Sequence, residues 1–134
     1  MKPVVFTAPV VSGSGRGKDL GIATMNLELD SVPSELTEGI YACFVMFDGK
    51  RYMAGMHYGP RPVFKDTRSC EIHILDEWIE KTPDALEVLV VGRIRDVADF
   101  PSVDDMLKQI EDDIANVRAI LSAYESESPQ TADS

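Results

Sequence analysis

Residues 40–58 read IYACFVMFDGKRYMAGMHY, and this stretch decides the fold. Its first part, residues 40–47, is an unbroken apolar run that ends at Asp48-Gly49. An Asp-Gly pair between two strand-like segments favours a two-residue hairpin turn, because both positions tolerate a positive φ. We therefore predict a β-hairpin whose second strand runs over residues 51–58.

Outward from this hairpin, four more segments have the composition of strands. Residues 4–11 are apolar and β-branched, residues 23–29 alternate loosely, and residues 69–75 and 85–95 show further strand patterns. Five or six short strands at this spacing are typical of a closed barrel or a sandwich. The sequence thus predicts a mainly β fold in one domain, since 134 residues with 44% apolar content can fill one core.

In the C-terminal part of the chain, the apolar residues recur at helical spacing. Ser102 followed by Asp105 is a capping signature at the start of this segment. A long amphipathic helix is predicted, which we expect to lie across the barrel and cover one opening. Residues 125–134 are polar and acidic, so we predict a domain over residues 1–124 and then a disordered tail. The apolar positions with helical spacing are Val103, Met106, Leu107, Ile110, Ile114, Val117, Leu121 and Tyr124.

The net charge of −10 limits the partners of the protein. Nonspecific binding to nucleic acid or to anionic lipid needs a basic surface, and the chain as a whole lacks one. A substrate with several phosphates must therefore be bound locally, by backbone N–H groups, a few cations and a metal ion. We expect a monomer with small-molecule substrates, and neither nucleic-acid nor membrane binding.

The two cysteines, Cys43 and Cys70, indicate the redox state of the cellular compartment in which the protein lies. The start of the chain shows no secretory signal, so we expect a cytoplasmic protein with two reduced thiols, the alternative being a disulfide. A structural zinc site would need both cysteines together with His57 and His73. That spacing fits no common zinc motif.

Residues 13–21, GSGRGKDLG, form the strongest loop signal. The loop is no Walker A motif, because Asp19 stands where Ser or Thr is required, and Lys18 excludes the third glycine of a dinucleotide fingerprint. A turn rich in N–H groups, with Arg16 and Lys18, suits phosphates chemically. The alternative is a mobile hairpin loop. The glycines are Gly13, Gly15, Gly17 and Gly21.

Thr24 and Asn26 are two positions apart, so on a strand both project to the same face. A hydroxyl and an amide carbonyl are hard oxygen ligands, which suit Mg²⁺ that is also coordinated by nucleotide phosphates. An ordinary polar strand face is the alternative.

Glu71 and His73 show the same spacing in the segment CEIHIL, residues 70–75. Cys70, Ile72 and Ile74 share the face that we expect to be core, which leaves Glu71 and His73 on the other face with Leu75. A carboxylate there could accept the proton of an attacking hydroxyl, and His73 could orient it. A solvent-facing pair without chemistry is the alternative.

Five landmarks, in order, resemble the riboflavin kinase (flavokinase) family. That family has a Gly-Arg-Gly loop running into Pro-Thr-Ala-Asn-Leu, a Gly-Val-Tyr-Ala strand, an Asn-Ile-Gly-x-Arg-Pro-Thr-Phe loop, a Glu-x-His strand, and an Arg, Phe, Leu, Gln-Ile-x-x-Asp segment. Here these read GRGKDLGIATMNL at 15–27, GIYA at 39–42, HYGPRPVF at 57–64, EIH at 71–73, and Arg95, Phe100, Leu107, Gln109, Ile110 and Asp113.

The resemblance implies a six-stranded antiparallel Greek-key β-barrel with a C-terminal helix, and an ATP:riboflavin 5′-phosphotransferase that makes FMN and ADP. It implies that Thr24 and Asn26 hold Mg²⁺ and the phosphates of ATP, and that Glu71 is the general base. The segment from Arg95 to Gln109 would border the flavin. Without an adenylyltransferase domain we expect FMN and not FAD as product. The cofactor-binding set implied by position is Gly13, Gly15, Arg16, Gly17, Lys18, Gly21, Thr24, Asn26 and Arg95.

The chain departs from the family pattern at several positions. Ala23 replaces a proline, His57 an asparagine and Val63 a threonine. These changes leave an alternative function open, a barrel of the same fold that binds flavin or nucleotide without turnover. An unrelated small barrel that serves as an interaction domain is a third hypothesis.

Overall fold

The structure is a computed structural model that describes residues 1–14, 22–60, 68–77 and 79–127. Within these ranges it contains six strands, one long helix and a 3-10 turn at Leu29–Ser31. The elements are β1 (Val4–Ser14), β2 (Ile22–Leu27), β3 (Gly39–Phe47), β4 (Lys50–Pro60), β5 (Arg68–Leu75), β6 (Ala85–Arg95) and α1 (Val103–Glu127).

The six strands form a closed antiparallel barrel in the order β1-β2-β5-β4-β3-β6. Strands β3, β4 and β5 are consecutive neighbours, while β2 returns beside β5 and β6 returns beside β3. This arrangement is the Greek-key pattern. Strand β1 closes the barrel between β2 and β6, so the predicted barrel is confirmed.

The β3–β4 hairpin has the turn that its sequence predicts. Asp48 and Gly49 have φ values of 51° and 75°. Positive φ at both central residues matches the twist of the flanking strands. The pairing runs from Phe47 opposite Lys50 to Gly39 opposite Tyr58.

The inner face of the barrel is packed with apolar side chains. Both cysteines lie there as free, buried thiols. Burial, and to a lesser degree the Glu71 carboxylate, raises the pKa of Cys70 to about 12. Burial also raises the pKa of Cys43 well above its ordinary value. The interior includes Ala23, Met25, Leu27, Tyr41, Cys43, Val45, Ala54, Met56, Cys70, Ile72, Ile74, Val88 and Val90.

Helix α1 packs against the outside of the barrel, and the prediction that it covers one opening is wrong. Its buried residues Val117 and Leu121 form a second cluster with Ala42, Phe44 and Leu75. The physical reason lies in the unbroken apolar run of β3. Alternate residues point to opposite faces of a strand, so the outer face of β3 is apolar as well and must also be covered.

The start of α1 carries the predicted cap. The backbone N–H of Asp105 donates to Ser102 Oγ at 3.1 Å, and the Ser102 hydroxyl donates to Asp105 Oδ2 at 3.0 Å. The first of these bonds satisfies one N–H group that the first turn of a helix leaves free.

The end of α1 differs from the prediction, because the helix continues to Glu127 and does not stop at residue 124. Glu125 forms an ion pair with Arg51, whose guanidinium lies 4.3 Å from the centroid of the Phe44 ring. Residues 128–134 of the predicted tail lie outside the described residues. Within the described part of the chain, no helix combines the length and apolar character that a membrane span needs.

Candidate functional site

Register across the barrel places outward-facing residues in rows. Asn26 on β2 lies opposite Glu71 on β5, and Glu71 lies opposite His57 on β4. His57 in turn pairs with Ile40, and Ile40 with Arg95 at the end of β6. Five residues distant in sequence thus form one continuous row.

A second row runs beside the first. Thr24 lies opposite His73, His73 opposite Gly55, and Gly55 opposite Ala42. The β2 and β5 end of both rows is polar, while Ile40, Gly55 and Ala42 further along the rows are small or apolar. The two residues predicted to bind Mg²⁺ and the predicted base therefore lie side by side, although they come from separate strands.

Asn26 has an oxygen with unused bonding capacity. Its side-chain amide nitrogen donates to Ser12 Oγ at 3.0 Å. Its side-chain oxygen is buried and accepts no hydrogen bond from the described residues. A buried acceptor without a partner costs free energy, so this oxygen is suited to an ion that the protein binds. Two positions before it, the Thr24 hydroxyl lies 3.4 Å from Nδ1 of His73.

The Glu71 side chain is 19% exposed and lies among polar neighbours. The Ser69 hydroxyl donates to its Oε2 at 3.2 Å, and Nε2 of His73 lies 3.7 Å from its Oε1. Burial lowers the pKa of His73, and the Glu71 carboxylate offsets part of that shift. The imidazole beside Glu71 is therefore mainly neutral near pH 7.

A cavity of about 330 Å³ separates this face from helix α1. Its volume lies at the lower end of those that hold small-molecule ligands. A Cβ added at Gly55 would lie 3.7 Å from Val117 Cγ2, so the missing side chain leaves room between sheet and helix. One end is lined by Thr24, His57, Glu71 and His73, and the remaining wall includes Ile40, Leu75, Phe100, Met106, Ile110, Ile114 and Val117.

Arg95 and Asp113 also line the cavity. Arg95 Nε donates to Asp113 Oδ1 at 2.9 Å, and Nη2 donates to Oδ2 at 2.8 Å. The predicted cofactor-binding Arg95 thus has its fork occupied by a carboxylate of the protein itself.

The glycine-rich segment is described only in part. Gly13 lies in β1 opposite Met25, one position from the Ser12–Asn26 pair. Gly15, Arg16, Gly17, Lys18 and Gly21 lie outside the described residues, as does Val63. Their assigned roles stay predictions.

Sequence reasoning missed two parts of the site. One part is His57, for which the sequence suggests no role beyond a zinc set that fits no common motif, and which lies beside Glu71 because of the β4–β5 register. The other part is the surface of α1 beyond the segment Arg95 to Gln109, formed by Ile110, Ile114 and Val117, which lines the cavity. The period of α1 shows that these residues face the protein, but no local signal shows what they face.

Comparison with known proteins agrees with this geometry. The family model Flavokinase, described as riboflavin kinase, matches residues 1–121. Human riboflavin kinase is 31% identical over 123 residues, which cover 87% of this chain and 79% of the human protein. The trifunctional protein RibF/MnmA of Mycoplasmoides gallisepticum is 32% identical over 114 residues. In that case the match spans 84% of this chain and 17% of the larger protein.

A solved structure shares the fold. The crystal structure of a macrolide-efflux protein from Streptococcus pneumoniae superposes with a TM-score of 0.70 at 29% sequence identity. The match covers 87% of this chain and 38% of that chain. With a family match over residues 1–121 and relatives above 30% identity, this chain belongs to the riboflavin kinase family.

Proposed function

We propose that this protein transfers the γ-phosphate of MgATP to the 5′-hydroxyl of riboflavin, giving FMN and ADP. One observation carries the proposal: a single cavity joins Thr24 and Glu71 to an apolar wall beneath α1. An aromatic acceptor can bury its ring against that wall while its polar chain reaches the carboxylate. Membership of the riboflavin kinase family supports the same reaction.

The acceptor ring lies between the outer face of the barrel and helix α1. The lining there is aliphatic and aromatic, with Ile110, Ile114 and Phe100 on the helix side and Ile40 on the sheet side. Burial of a flat apolar ring against such side chains supplies most of its affinity. The ribityl chain then extends towards His57 and Glu71.

Thr24 and Asn26 hold Mg²⁺ on the phosphate side of the site. The donor set fits this ion, because both ligands are hard oxygens and the Asn26 oxygen is buried without a partner among the described residues. When bound, Mg²⁺ neutralises charge on the phosphates of the nucleotide. The glycine-rich loop over residues 13–21 is predicted to supply backbone N–H groups to the same phosphates.

Glu71 acts as the general base. Its carboxylate accepts the proton of the ribityl 5′-hydroxyl while the hydroxyl oxygen forms a bond to the γ-phosphorus. The bond between that phosphorus and the β,γ-bridging oxygen breaks, and ADP leaves with the electron pair. The proton then passes from Glu71 to solvent. The Ser69 hydroxyl holds the carboxylate in place through its hydrogen bond at 3.2 Å, and the His73 ring lies beside it.

The state of the two cysteines supports a proposal for the cellular compartment. Both thiols are free and buried, which suits a reducing compartment, and we place the protein in the cytoplasm. We also propose a monomer that acts on small-molecule substrates.

A coupled assay tests the reaction. Purified protein with Mg²⁺, ATP and riboflavin is expected to release ADP in proportion to FMN, which chromatography separates from riboflavin. Omission of riboflavin measures background ATP hydrolysis, and excess EDTA is expected to abolish FMN formation. Tight flavin binding without ADP release over hours would instead select the barrel that binds without turnover.

A further inference from the structure

Helix α1 is joined to the barrel by two bidentate Arg–Asp ion pairs. One links Arg95 at the end of β6 to Asp113, with donor–acceptor distances of 2.9 and 2.8 Å. The other links Arg118 to Asp76 just after β5, at 2.6 and 2.7 Å. The chemistry of the two pairs is the same, and their surroundings differ.

The Arg95–Asp113 pair is the more buried and the one at the cavity. The exposed fractions of its side chains are 23% and 14%, against 43% and 62% for Arg118 and Asp76. Arg95 and Asp113 both line the cavity, whereas Arg118 and Asp76 do not. The Arg118–Asp76 pair therefore serves as a control, because it joins the same helix to the barrel away from the cavity lining.

Arg95 also fixes the segment that leads into α1. Its Nη1 donates to the carbonyl oxygen of Asp96 at 3.0 Å, and its guanidinium lies 5.7 Å from the centroid of the Phe100 ring. Gln109 donates to Asp113 Oδ1 at 3.0 Å, which holds the carboxylate from the helix side. Arg95 and Asp113 together therefore hold the Asp96 carbonyl, the Phe100 ring and the Gln109 amide.

The Arg95–Asp113 ion pair holds residues that line the cavity. Ala98 and Phe100 of the fastened segment line the cavity, as do Met106 and Ile110 of α1. Arg95 occupies the end of the row that contains His57 and Glu71. A bidentate pair has little angular freedom, so it sets the distance between the helix wall and that row.

We propose that Asp113 is a positioning residue for the flavin acceptor. Acting through Arg95, it holds α1 and the segment of residues 96–102 at the separation from the sheet that the riboflavin ring needs. Riboflavin binding depends on this pair, and nucleotide binding does not. This inference rests on the proposed function, and it gives Arg95 a role through a protein carboxylate instead of direct contact with the nucleotide.

The test compares Asp113→Asn with Asp76→Asn, two changes that each remove one charge from a bidentate pair. Asp76 has a φ of 64°, which asparagine tolerates, so the control adds no backbone strain. Asp113→Asn is expected to weaken riboflavin binding roughly 10- to 100-fold, because a small displacement of a positioning group has an effect of that order. The KM for ATP should stay within about twofold of wild type in both variants. Riboflavin affinity is measured without nucleotide, by quenching of flavin fluorescence.

Two further variants keep the test decisive. Asp113→Glu retains the charge and should recover part of the riboflavin affinity. Arg95→Lys keeps the positive charge but loses the two-point bond, and should weaken riboflavin binding in the same direction as Asp113→Asn. If Arg95 instead contacts the nucleotide, Arg95→Lys will raise the KM for ATP, and the inference falls. Should Asp113→Asn fail to fold by circular dichroism, Arg95→Lys decides the question.

The outcomes separate this inference from the proposed function. If wild-type protein neither binds nor phosphorylates riboflavin, the proposed function fails and the inference fails with it. If wild-type protein is active and Asp113→Asn behaves like Asp76→Asn, the inference alone fails. A selective loss of riboflavin affinity in Asp113→Asn supports both.

Discussion

The two faces of β5 differ sharply, although they share one backbone. On the inner face Cys70, Ile72 and Ile74 are fully buried in the barrel core. On the outer face Glu71 and His73 are partly exposed, lie in contact with polar groups and line the cavity. A shift of one residue along the strand therefore separates groups that stabilise the fold from groups suited to chemistry.

This separation has a practical consequence. Substitutions on the inner face should change the free energy of unfolding and leave the chemistry intact, while those on the outer face should do the reverse. Because Glu71 and Ile72 are adjacent in one strand, substitutions at these two residues differ mainly in the face of the barrel that they change. A residue that disturbs both quantities would show that the faces are coupled.

The largest effect is expected for Glu71→Gln. The amide keeps the shape of the side chain but cannot accept the hydroxyl proton, so kcat should fall about 10²–10⁴-fold. The free energy of unfolding should stay within about 0.5 kcal/mol of wild type, because the residue lies outside the core. Steady-state assays and urea unfolding measure the two quantities. A variant that keeps the wild-type rate would remove Glu71 from the role of base.

The neighbouring change Ile72→Ala should act on stability. Truncation of a fully buried isoleucine leaves a cavity, and the expected loss is about 2–5 kcal/mol. Ile72→Val is the graded control, with an expected loss of about 0.5–1.5 kcal/mol. Measured at a temperature where both variants are folded, kcat should remain near the wild-type value. A collapse of kcat comparable to that of Glu71→Gln would break the separation between the faces.

A smaller effect is expected for Asn26→Ala on the outer face of β2. The change removes the buried oxygen that we assign to Mg²⁺, so half-maximal activity should need on the order of 10- to 100-fold more Mg²⁺. It also removes the hydrogen bond to Ser12. Ser12→Ala removes that bond while keeping the oxygen, and its Mg²⁺ dependence should match wild type. Equal shifts in the two variants would assign the effect to the hydrogen bond.

The fold was predictable from the sequence where local patterns decide it. The Asp48-Gly49 turn, the alternation along β5 and the cap at Ser102 are local signals, and the structure contains all three. The position of α1 was missed because periodicity shows an apolar face without showing its partner. The unbroken apolar run of β3 held the missing information, since a strand that is apolar on both faces needs two covers.

The site was predictable in a different way. Strand periodicity placed Thr24 with Asn26 and Glu71 with His73 on common faces, and their roles came from the family resemblance. Their proximity depends on the pairing of β2 with β5, which are far apart in sequence. The same holds for His57, which reaches Glu71 through β4–β5 register. Non-local register of this kind leaves no signature within either strand.

The smallest effect concerns the thiol of Cys70, which lies on the inner face of β5 and precedes Glu71 in the sequence. The pKa of Cys70 is raised from 9.0 to about 12, chiefly by burial, so the native state holds the proton more tightly than the unfolded state. The resulting stabilisation is complete below pH 9.0 and is lost as the pH rises towards about 12. Because other groups titrate in this range, the quantity to measure is the difference in unfolding free energy between wild type and Cys70→Ala. That difference should be constant from pH 7 to 8.5 and should move against wild type above pH 9.0. Parallel stability curves throughout would mean that the inner face at Cys70 admits solvent, and the contrast between the two faces of β5 would then be weaker than the packing indicates.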